Sequence, residues 1–294
     1  MKKSLFFALT ALFFTGSIFS QDITNTFGDG ILEDFHSKLS GEKKEFGTTE
    51  NLLKGSEQIF NAAEEISPEE EYYFGRALAA KFLTKYEVLD APFAQAYLNL
   101  IVHSLAAHSE RPVLFKDYSV VILDSDEINA FATCGGHIMV TRGLLRCASS
   151  EDSLAAVLAH ELSHILLQHS VSSIKVNRIR NSVSQMLDKE TFDKDVEDVL
   201  TNGYSHTQEF EADAKALELL YATGYNVQAM DEMLLALEEH SVSDDDLLGF
   251  GKTHPNPKIR RQYLSQKYKK FTQPKKFKEN KARKKRFEAF KSQL

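Results

Sequence analysis

The sequence predicts a mostly helical α+β domain with one small β-sheet. Apolar residues recur at helical spacing over most of residues 67–240, and the pattern changes to short apolar runs between residues 119 and 140. In addition, 43% of the 294 residues are hydrophobic, which is enough to bury the core of a sizeable domain. We therefore expect helices packed around a core, with a short sheet inserted near the middle of the chain.

The first 20 residues have the layout of a secretory signal peptide. Two lysines give a basic start, an apolar run follows from Leu5 to about Phe14, and small residues lead to Ser20. An uncleaved anchor is the alternative, but the run is shorter than the roughly 20 apolar residues that a spanning helix needs. No cysteine lies nearby for lipid attachment. We predict cleavage after Ser20 and export to the periplasm or the outside of the cell.

Residues 21–66 are polar and interrupted by glycine, and they predict a peripheral N-terminal arm. The main domain, residues 67–266, begins with a helix. Ser67 can cap it, Pro68 occupies its first position, and three glutamates follow near the positive end of the helix dipole. A second helix is predicted from about Pro92 to His108.

The middle of the domain changes to strand patterning. The predicted strands are Ser119–Leu123, Asn129–Ala132 and, after the Gly135-Gly136 break, His137–Val140. The segment Gly136–Val140 could pair with an extended substrate by main-chain hydrogen bonds, and an internal core strand is the alternative. Helical patterning then returns at 174–201, Glu209–Ala222, which Gly224 ends, and Val227–Glu239.

The net charge of −7 is unevenly distributed along the chain. Residues 267–294 contain twelve Lys and Arg against two glutamates, and they predict a solvated, partly helical basic tail. This tail could contact anionic lipid or an acidic partner. Nucleic acid is the least expected partner, because an exported protein seldom meets it.

Polar side chains interrupt an otherwise apolar helix in "VLAHELSHILLQHS", residues 157–170. Positions i and i+4 of a helix project about 40° apart, so the imidazoles of His160 and His164 can converge on one point. Two nitrogen ligands at this spacing bind zinc, and Glu161 between them lies beside the metal, where it can act on bound water. His169 lies about 140° further round the same helix, and it is therefore predicted not to share the site.

A third protein ligand is expected from "SHTQEFEADAKALELL", residues 205–220. Glu209 and Asp213 are four residues apart and share one helix face, whereas Glu211 is turned away. Glu209 could bind the metal while Asp213 accepts a hydrogen bond from a ligating imidazole. A solvated acidic helix start is the alternative.

These motifs resemble the HtpX and CAAX-prenyl-protease superfamily of zinc metallopeptidases. "NAFATCGGHIMVTRGLL" (129–145) and "THPNPKIRR" (253–261) are similar to two further motifs of that family. The resemblance covers about residues 67–264. It implies a zincin-like fold with the small sheet beside the active-site helix, and one Zn²⁺ bound by His160, His164 and Glu209. Two residues depart from the pattern, because Cys134 stands where many relatives have proline and His206 where many have arginine.

The chemistry expected from this site is peptide hydrolysis. Glu161 would take a proton from the attacking water and pass it to the leaving amine. Tyr204 and His206 are the candidate donors to the oxyanion, with ordinary loop packing as the alternative. His254, stiffened by Pro255, is a candidate fourth ligand in a latent enzyme, and a structural role is the alternative.

We therefore expect a zinc-dependent endopeptidase that acts on unfolded or mislocalised envelope proteins. The alternative is a chaperone-like binder or assembly factor that uses the same cleft without cutting. A structural zinc site is disfavoured, because such sites are usually closed by cysteine and histidine. Cys134 and Cys147 could form a disulfide or remain buried thiols, and Arg260 is expected to pair with an acidic helix.

Overall fold

A computed structural model describes residues 65–174, 203–240, 254, 256–272 and 280–294. The predicted signal peptide, nearly all of the arm at 21–66 and the helix expected at 174–201 lie outside these residues. The helices are α1 (Pro68–Phe82), α2 (Pro92–Ala106), α3 (Arg142–Cys147), α4 (Glu151–Leu166), α5 (His206–Thr223), α6 (Ala229–His240), α7 (Pro257–Lys267) and α8 (Lys281–Lys291), and the strands are β1 (Ser119–Leu123), β2 (Ala130–Thr133) and β3 (His137–Thr141). The prediction of a mostly helical α+β domain with one small sheet is confirmed.

Helix α1 begins as its sequence predicts. Ser67 and Glu70 form a reciprocal capping box, and Pro68 occupies the first turn. The helix packs against the turn between β2 and β3, and Gly75 makes this close approach possible. A Cβ at Gly75 would lie 1.6 Å from the carbonyl oxygen of Cys134, so any other residue would push the helix away from the sheet.

The sheet has the order β1-β3-β2, in which β3 runs parallel to β1 and antiparallel to β2. The prediction that Gly136–Val140 offers a free edge is therefore wrong. Gly135 and Gly136 have φ of 73° and 95°, and this left-handed turn returns β3 between its two neighbours. Both sides of β3 are consequently paired.

The two outer strands differ in what covers them. The outer edge of β1 is covered by side chains of α2: Asn99 exchanges two hydrogen bonds with Val120, and Gln95 accepts one from the amide of Ile122. Strand β2 instead borders a cleft. The strand that borders the cleft is therefore β2, not β3.

Helix α4 crosses the middle of the domain. Ser150 caps it, and every residue from Ser153 to Leu166 is buried, as expected for a helix that is surrounded by other elements. It packs against α2, α5, α6 and β2. Any polar side chain in this helix is therefore held away from solvent.

The C-terminal segment is less solvated than its composition predicts. In α8, Phe287 and Phe290 are buried, and the Phe290 ring lies 5.1 Å from that of Tyr97. On the same helix Arg286 donates two hydrogen bonds to Glu151 at the first turn of α4. Spacing of the two phenylalanines by three residues gives the basic helix one apolar face, which docks it on the core.

Neither cysteine is bonded: Cys134 is buried and Cys147 is half-buried, and both are free thiols. Within the residues that the structure describes, no helix combines the length and the hydropathy needed to cross a membrane.

Candidate active site

Two packed helices supply the polar residues at the centre of the domain. Helix α4 contributes His160, Glu161 and His164 from its last two turns, and α5 contributes Glu209 and Asp213 from its first two turns. A capping box of Ser205 and Gln208 starts α5, and Gly224 with φ 78° ends it, so its register is fixed at both ends. This start of α5 sets Glu209 opposite the histidine pair.

Four side chains converge on one point. The Nε2 atoms of His160 and His164 are 3.1 Å apart, and they lie 3.5 and 3.3 Å from the two oxygens of Glu209. His254 Nδ1 is 2.9 Å from Glu209 Oε1. One donor atom from each residue lies within 4.8 Å of the other three, and all four residues are buried.

This donor set fits a divalent metal ion. Two imidazole nitrogens and a carboxylate are the ligands that a catalytic metal of this kind uses, and one more position would remain for water or for His254. Glu161 is the second feature that points to a metal ion. It is fully buried, and neither of its oxygens has a hydrogen-bond partner among the described residues. Its closest ion-pair contact among the described residues is His254, whose Nε2 lies 3.7 Å from Oε1. A buried carboxylate without hydrogen bonds is costly unless a cation or substrate meets it.

The pKa directions of Glu161, Glu209 and His164 agree with this fit, whereas that of His160 does not. Burial and Arg260 act to lower the pKa of His160, but Asp213 and Glu209 raise it to about 9, so a metal ion would have to displace a proton from this imidazole. Burial raises the pKa of Glu161 above its usual value, although His254 and His160 oppose the shift. Burial would also raise the pKa of Glu209, but the three imidazoles around it hold that pKa well below its usual range. Burial lowers the pKa of His164 well below its usual value. The site therefore offers an ionised carboxylate, a neutral imidazole and a second carboxylate with raised proton affinity.

Asp213 and Arg260 lie behind His160. Asp213 Oδ1 is 3.0 Å from His160 Nδ1, and Arg260 donates to both oxygens of Asp213 at 2.6 and 2.8 Å. Arg260 comes from α7 and is 1% exposed. A carboxylate behind a ligating imidazole fixes its tautomer and ring orientation. Arg260 pairs with the acidic helix, as the sequence predicts, and it also reaches His160 Nδ1 at 3.1 Å.

Tyr204 lies at the site, whereas His206 lies away from it. The Tyr204 ring stacks on His164 with centroids 3.9 Å apart, and its hydroxyl donates to the carbonyl oxygen of Ala132 on β2. His206 is exposed, and its ring faces Phe210 at 6.4 Å. Among the described residues, no contact joins His206 to the four-residue cluster.

His169 is not one of the four converging donors, as predicted, but it lies nearer to His164 than regular helical geometry places it. Its Nδ1 is 2.9 Å from His164 Nδ1, and its Nε2 is 3.3 Å from the exposed side chain of Glu211. The prediction extended α4 as a regular helix past Leu166. In the structure α4 ends there, and Gln168 has a φ of 55°, so the chain turns His169 back towards the histidine pair.

The cleft beside the site is bounded by β2 on one side. Leu78 and Phe82 of α1, Phe131 of β2, Tyr204 and His254 contribute to its walls. Most of this lining is apolar.

Residues 92–267 match the sequence model of a protein family, peptidase family M48. The beta-barrel assembly-enhancing protease of Escherichia coli (strain K12) is 25% identical over 192 residues, which are 59% of this chain and 38% of that protein. The mitochondrial metalloendopeptidase OMA1 of Schizosaccharomyces pombe is 30% identical over 141 residues, which are 45% of this chain and 41% of that protein.

A shorter relative gives the same result. Metalloprotease YcaL of Escherichia coli (strain K12) is 26% identical over 129 residues, which are 40% of this chain and 48% of that protein. The chain thus spans less than half of the length of each of these three relatives. The matched region contains the histidine pair, Glu209 and His254, and it covers more than half of this chain. The resemblance found in the sequence is confirmed, and the chain belongs to peptidase family M48.

Proposed function

We propose that the protein is a zinc-dependent endopeptidase that hydrolyses unfolded or mislocalised envelope proteins. The observation that carries this proposal is a buried Glu161 that has no hydrogen bond among the described residues and lies beside two imidazoles and a carboxylate that converge within 4.8 Å. An arrangement of this kind is unfavourable for folding alone, and it suits hydrolysis. Relatives named as metalloendopeptidases and as a beta-barrel assembly-enhancing protease support the reaction and the envelope location.

His160, His164 and Glu209 would hold the zinc ion. When bound, zinc polarises the scissile carbonyl and increases the acidity of the attacking water. Glu161 then acts as the base: its carboxylate accepts the water proton and delivers it to the leaving amine. The raised pKa of Glu161, which burial causes, matches this role because the group must both accept and release a proton.

Substrate binding is proposed along the edge of β2. The amide of Thr141 donates to the carbonyl of Asn129, so by antiparallel alternation the main-chain groups of Ala130 and Ala132 point away from β3, towards the cleft. The Ala132 carbonyl accepts from Tyr204 and the Ala130 amide donates to Asn129 Oδ1, so an extended peptide would replace these two hydrogen bonds when it pairs with this edge. Its apolar side chain could then enter the cleft near Phe131. Main-chain recognition of this kind favours unfolded chains over a particular sequence.

Tyr204 is the better supported of the two candidate oxyanion donors. Its hydroxyl lies on the cleft side of β2, where it contacts Ala132 and Ser170, and its ring stacks on His164. His206 would have to leave its exposed position to take part.

His254 is proposed to occupy the fourth position in a latent enzyme. Its Nδ1 contacts Glu209 at 2.9 Å and lies 3.4 Å from His160 Nε2, so it approaches the same point as the ligand atoms. Substrate would then have to displace it before hydrolysis begins.

The proposed organisation is a signal peptide at 1–20, a polar arm at 21–66, the peptidase domain at 67–266 and a basic segment at 267–294. We propose export to the periplasm or beyond, with peripheral membrane contact through exposed lysines of the basic segment. Unfolded polypeptides are the proposed substrates.

The test is mass spectrometry of an unfolded protein incubated with the wild type, with Glu161→Gln and with chelator-treated wild type. We expect fragments only from the untreated wild type, with cleavage by Glu161→Gln reduced at least about 100-fold because the base is lost. Zinc bound by the variant, measured in parallel, controls for loss of the metal. Equal cleavage by the variant would contradict the proposal, and retained binding without any cleavage by the wild type would favour the chaperone-like alternative.

A further inference from the structure

His169 lies next to a proposed ligand without being one of the converging donors. It is 4% exposed, and its ring centroid is 5.0 Å from that of His164. The approach depends on the local backbone: α4 ends at Leu166, Gln168 adopts a φ of 55°, and helical structure resumes at residues 169–174. A left-handed residue other than glycine is uncommon, so the chain reverses here at some cost to bring His169 inward.

The two nitrogens of His164 have different neighbours. Nε2 faces His160 Nε2 at 3.1 Å and Glu209 at 3.3 Å, which makes it the atom available to a metal ion. Nδ1 faces His169 Nδ1 at 2.9 Å. A metal-binding nitrogen carries no proton, so Nδ1 of His164 must carry it and donate to His169.

The same reasoning fixes the proton of His169. Since its Nδ1 accepts from His164, its remaining proton is on Nε2, which lies 3.3 Å from Glu211 Oε2. The contact is electrostatic, because its geometry falls short of an aligned hydrogen bond. The Glu211 side chain is 55% exposed, so its influence is weaker than that of a buried carboxylate.

We propose that His169, assisted by Glu211, is a positioning residue that holds His164 in its metal-binding tautomer and orientation. The proposal rests on the proposed function for the identity of the site as a zinc site. The other imidazole has an equivalent partner, because Asp213 lies 3.0 Å from His160 Nδ1. Each ligating histidine is therefore supported from behind, one by a carboxylate and the other by a second imidazole.

The stack of Tyr204 on His164 makes the role of His169 specific. Stacking at 3.9 Å restricts the plane of the His164 ring, but it leaves the choice between the two tautomers open. The acceptor, His169 Nδ1, selects the tautomer in which His164 carries its proton on Nδ1. Loss of His169 should therefore affect zinc binding more than it affects the metal-free fold.

The experiment compares zinc affinity with metal-free stability in four variants: His169→Phe, His169→Asn, Glu211→Gln and Glu218→Gln. Zinc affinity is measured by competition with a chromogenic chelator, and stability by thermal unfolding with excess chelator. The absorption spectrum of the Co²⁺-substituted protein reports ligand orientation. Glu218 is the matched control, because it is an exposed glutamate of the same helix that contacts only Lys215, at 3.5 Å, among the described residues.

We expect His169→Phe to weaken zinc binding about 10- to 100-fold and to change the Co²⁺ spectrum. His169→Asn keeps an acceptor and should recover part of the affinity. Glu211→Gln should lose less than about tenfold, and Glu218→Gln should match the wild type. Metal-free unfolding temperatures of all four should stay close to that of the wild type.

If His169→Phe, His169→Asn and Glu211→Gln all bind zinc as tightly as the wild type does, the positioning role is overturned and the proposed function stays intact. A lower metal-free unfolding temperature without any loss of affinity would likewise identify His169 as a purely structural residue. If His169→Phe does not fold, the zinc affinity and the Co²⁺ spectrum of His169→Asn decide the question, and wild-type values of both would overturn the positioning role. A wild type that binds no zinc would instead contradict the proposed function itself.

Discussion

Two buried glutamates lie ten residues apart on α4, and they have opposite environments. Glu151 accepts hydrogen bonds from Tyr97 and Arg286, and Arg283 approaches it at 3.6 Å. Glu161 has no hydrogen-bond partner within the described part of the chain. The contact of Glu161 is instead the His254 imidazole at 3.7 Å. A buried carboxylate with several hydrogen bonds at the start of a helix is a structural feature, whereas a buried carboxylate without hydrogen bonds points to chemistry. The same helix is thus anchored at one end and reactive at the other.

The largest effect on stability is expected where α8 packs against the start of α4. Phe290→Ala removes a fully buried ring that holds α8, and with it Arg286, against the start of α4. We expect unfolding free energy to fall by about 3–5 kcal/mol, as for other buried aromatic truncations. Urea unfolding measures this, with the exposed Ala289→Ser as the control on the same helix. A loss below about 1 kcal/mol would mean that α8 contributes little to the core.

The direct comparison of the two carboxylates comes next. Glu151→Gln weakens the hydrogen bonds that meet its charge, and we expect it to lower the unfolding free energy of the metal-free protein by about 1–3 kcal/mol. Glu161→Gln removes a buried carboxylate that has no hydrogen bond among the described residues, so the stability should stay unchanged or rise. Both values come from urea unfolding in excess chelator. Equal destabilisation by the two variants would remove the distinction between them.

A substitution of His254 tests whether this side chain holds the enzyme latent at the end of α4 that contains Glu161. We expect His254→Ala to raise the rate of cleavage of an unfolded substrate severalfold, because the fourth position is no longer occupied by a side chain. The control is His103→Ala, an exposed histidine that contacts Asp117 at 3.3 Å, and it should cleave at the wild-type rate. A rate for His254→Ala that is equal to or lower than the wild-type rate would contradict the latency proposal.

The smallest effect concerns the cysteine thiols, which tolerate burial because they stay neutral. Burial raises the pKa of Cys134 to about 12, and it also raises the pKa of Cys147. A raised pKa leaves little thiolate at pH 8, so both thiols should react slowly with iodoacetamide in the folded protein and rapidly in urea. Mass spectrometry after timed alkylation measures this. Rapid modification of folded Cys134 would show that its turn opens.

Local signals predicted much of this fold from the sequence. The capping residues Ser67 and Pro68 marked the start of α1, Gly224 marked the end of α5, and β1 was predicted at Ser119–Leu123 with the bounds observed. These features depend on neighbours in the chain, so the sequence contains the necessary information. The convergence of the histidine pair with Glu209 also followed from helical spacing and from the family resemblance.

Features that depend on distant contacts were missed. Strand β3 is central because a left-handed glycine turn returns it between β1 and β2, and alternation of residues alone does not specify strand order. The contact of His169 with His164 was missed because regular helical geometry was assumed beyond Leu166, and nothing in the sequence marks Gln168 as left-handed. The docking of α8 joins Arg286 to a residue 135 positions away, which no local pattern reveals.

The most direct test of the central claim is anomalous diffraction at the zinc absorption edge from crystals of the zinc-loaded protein. We predict one peak about 2.0–2.2 Å from His160 Nε2, His164 Nε2 and an oxygen of Glu209, with the Glu161 carboxylate beside it. A peak elsewhere, or zinc bound without Glu209, would contradict the assignment of this cluster as the metal site.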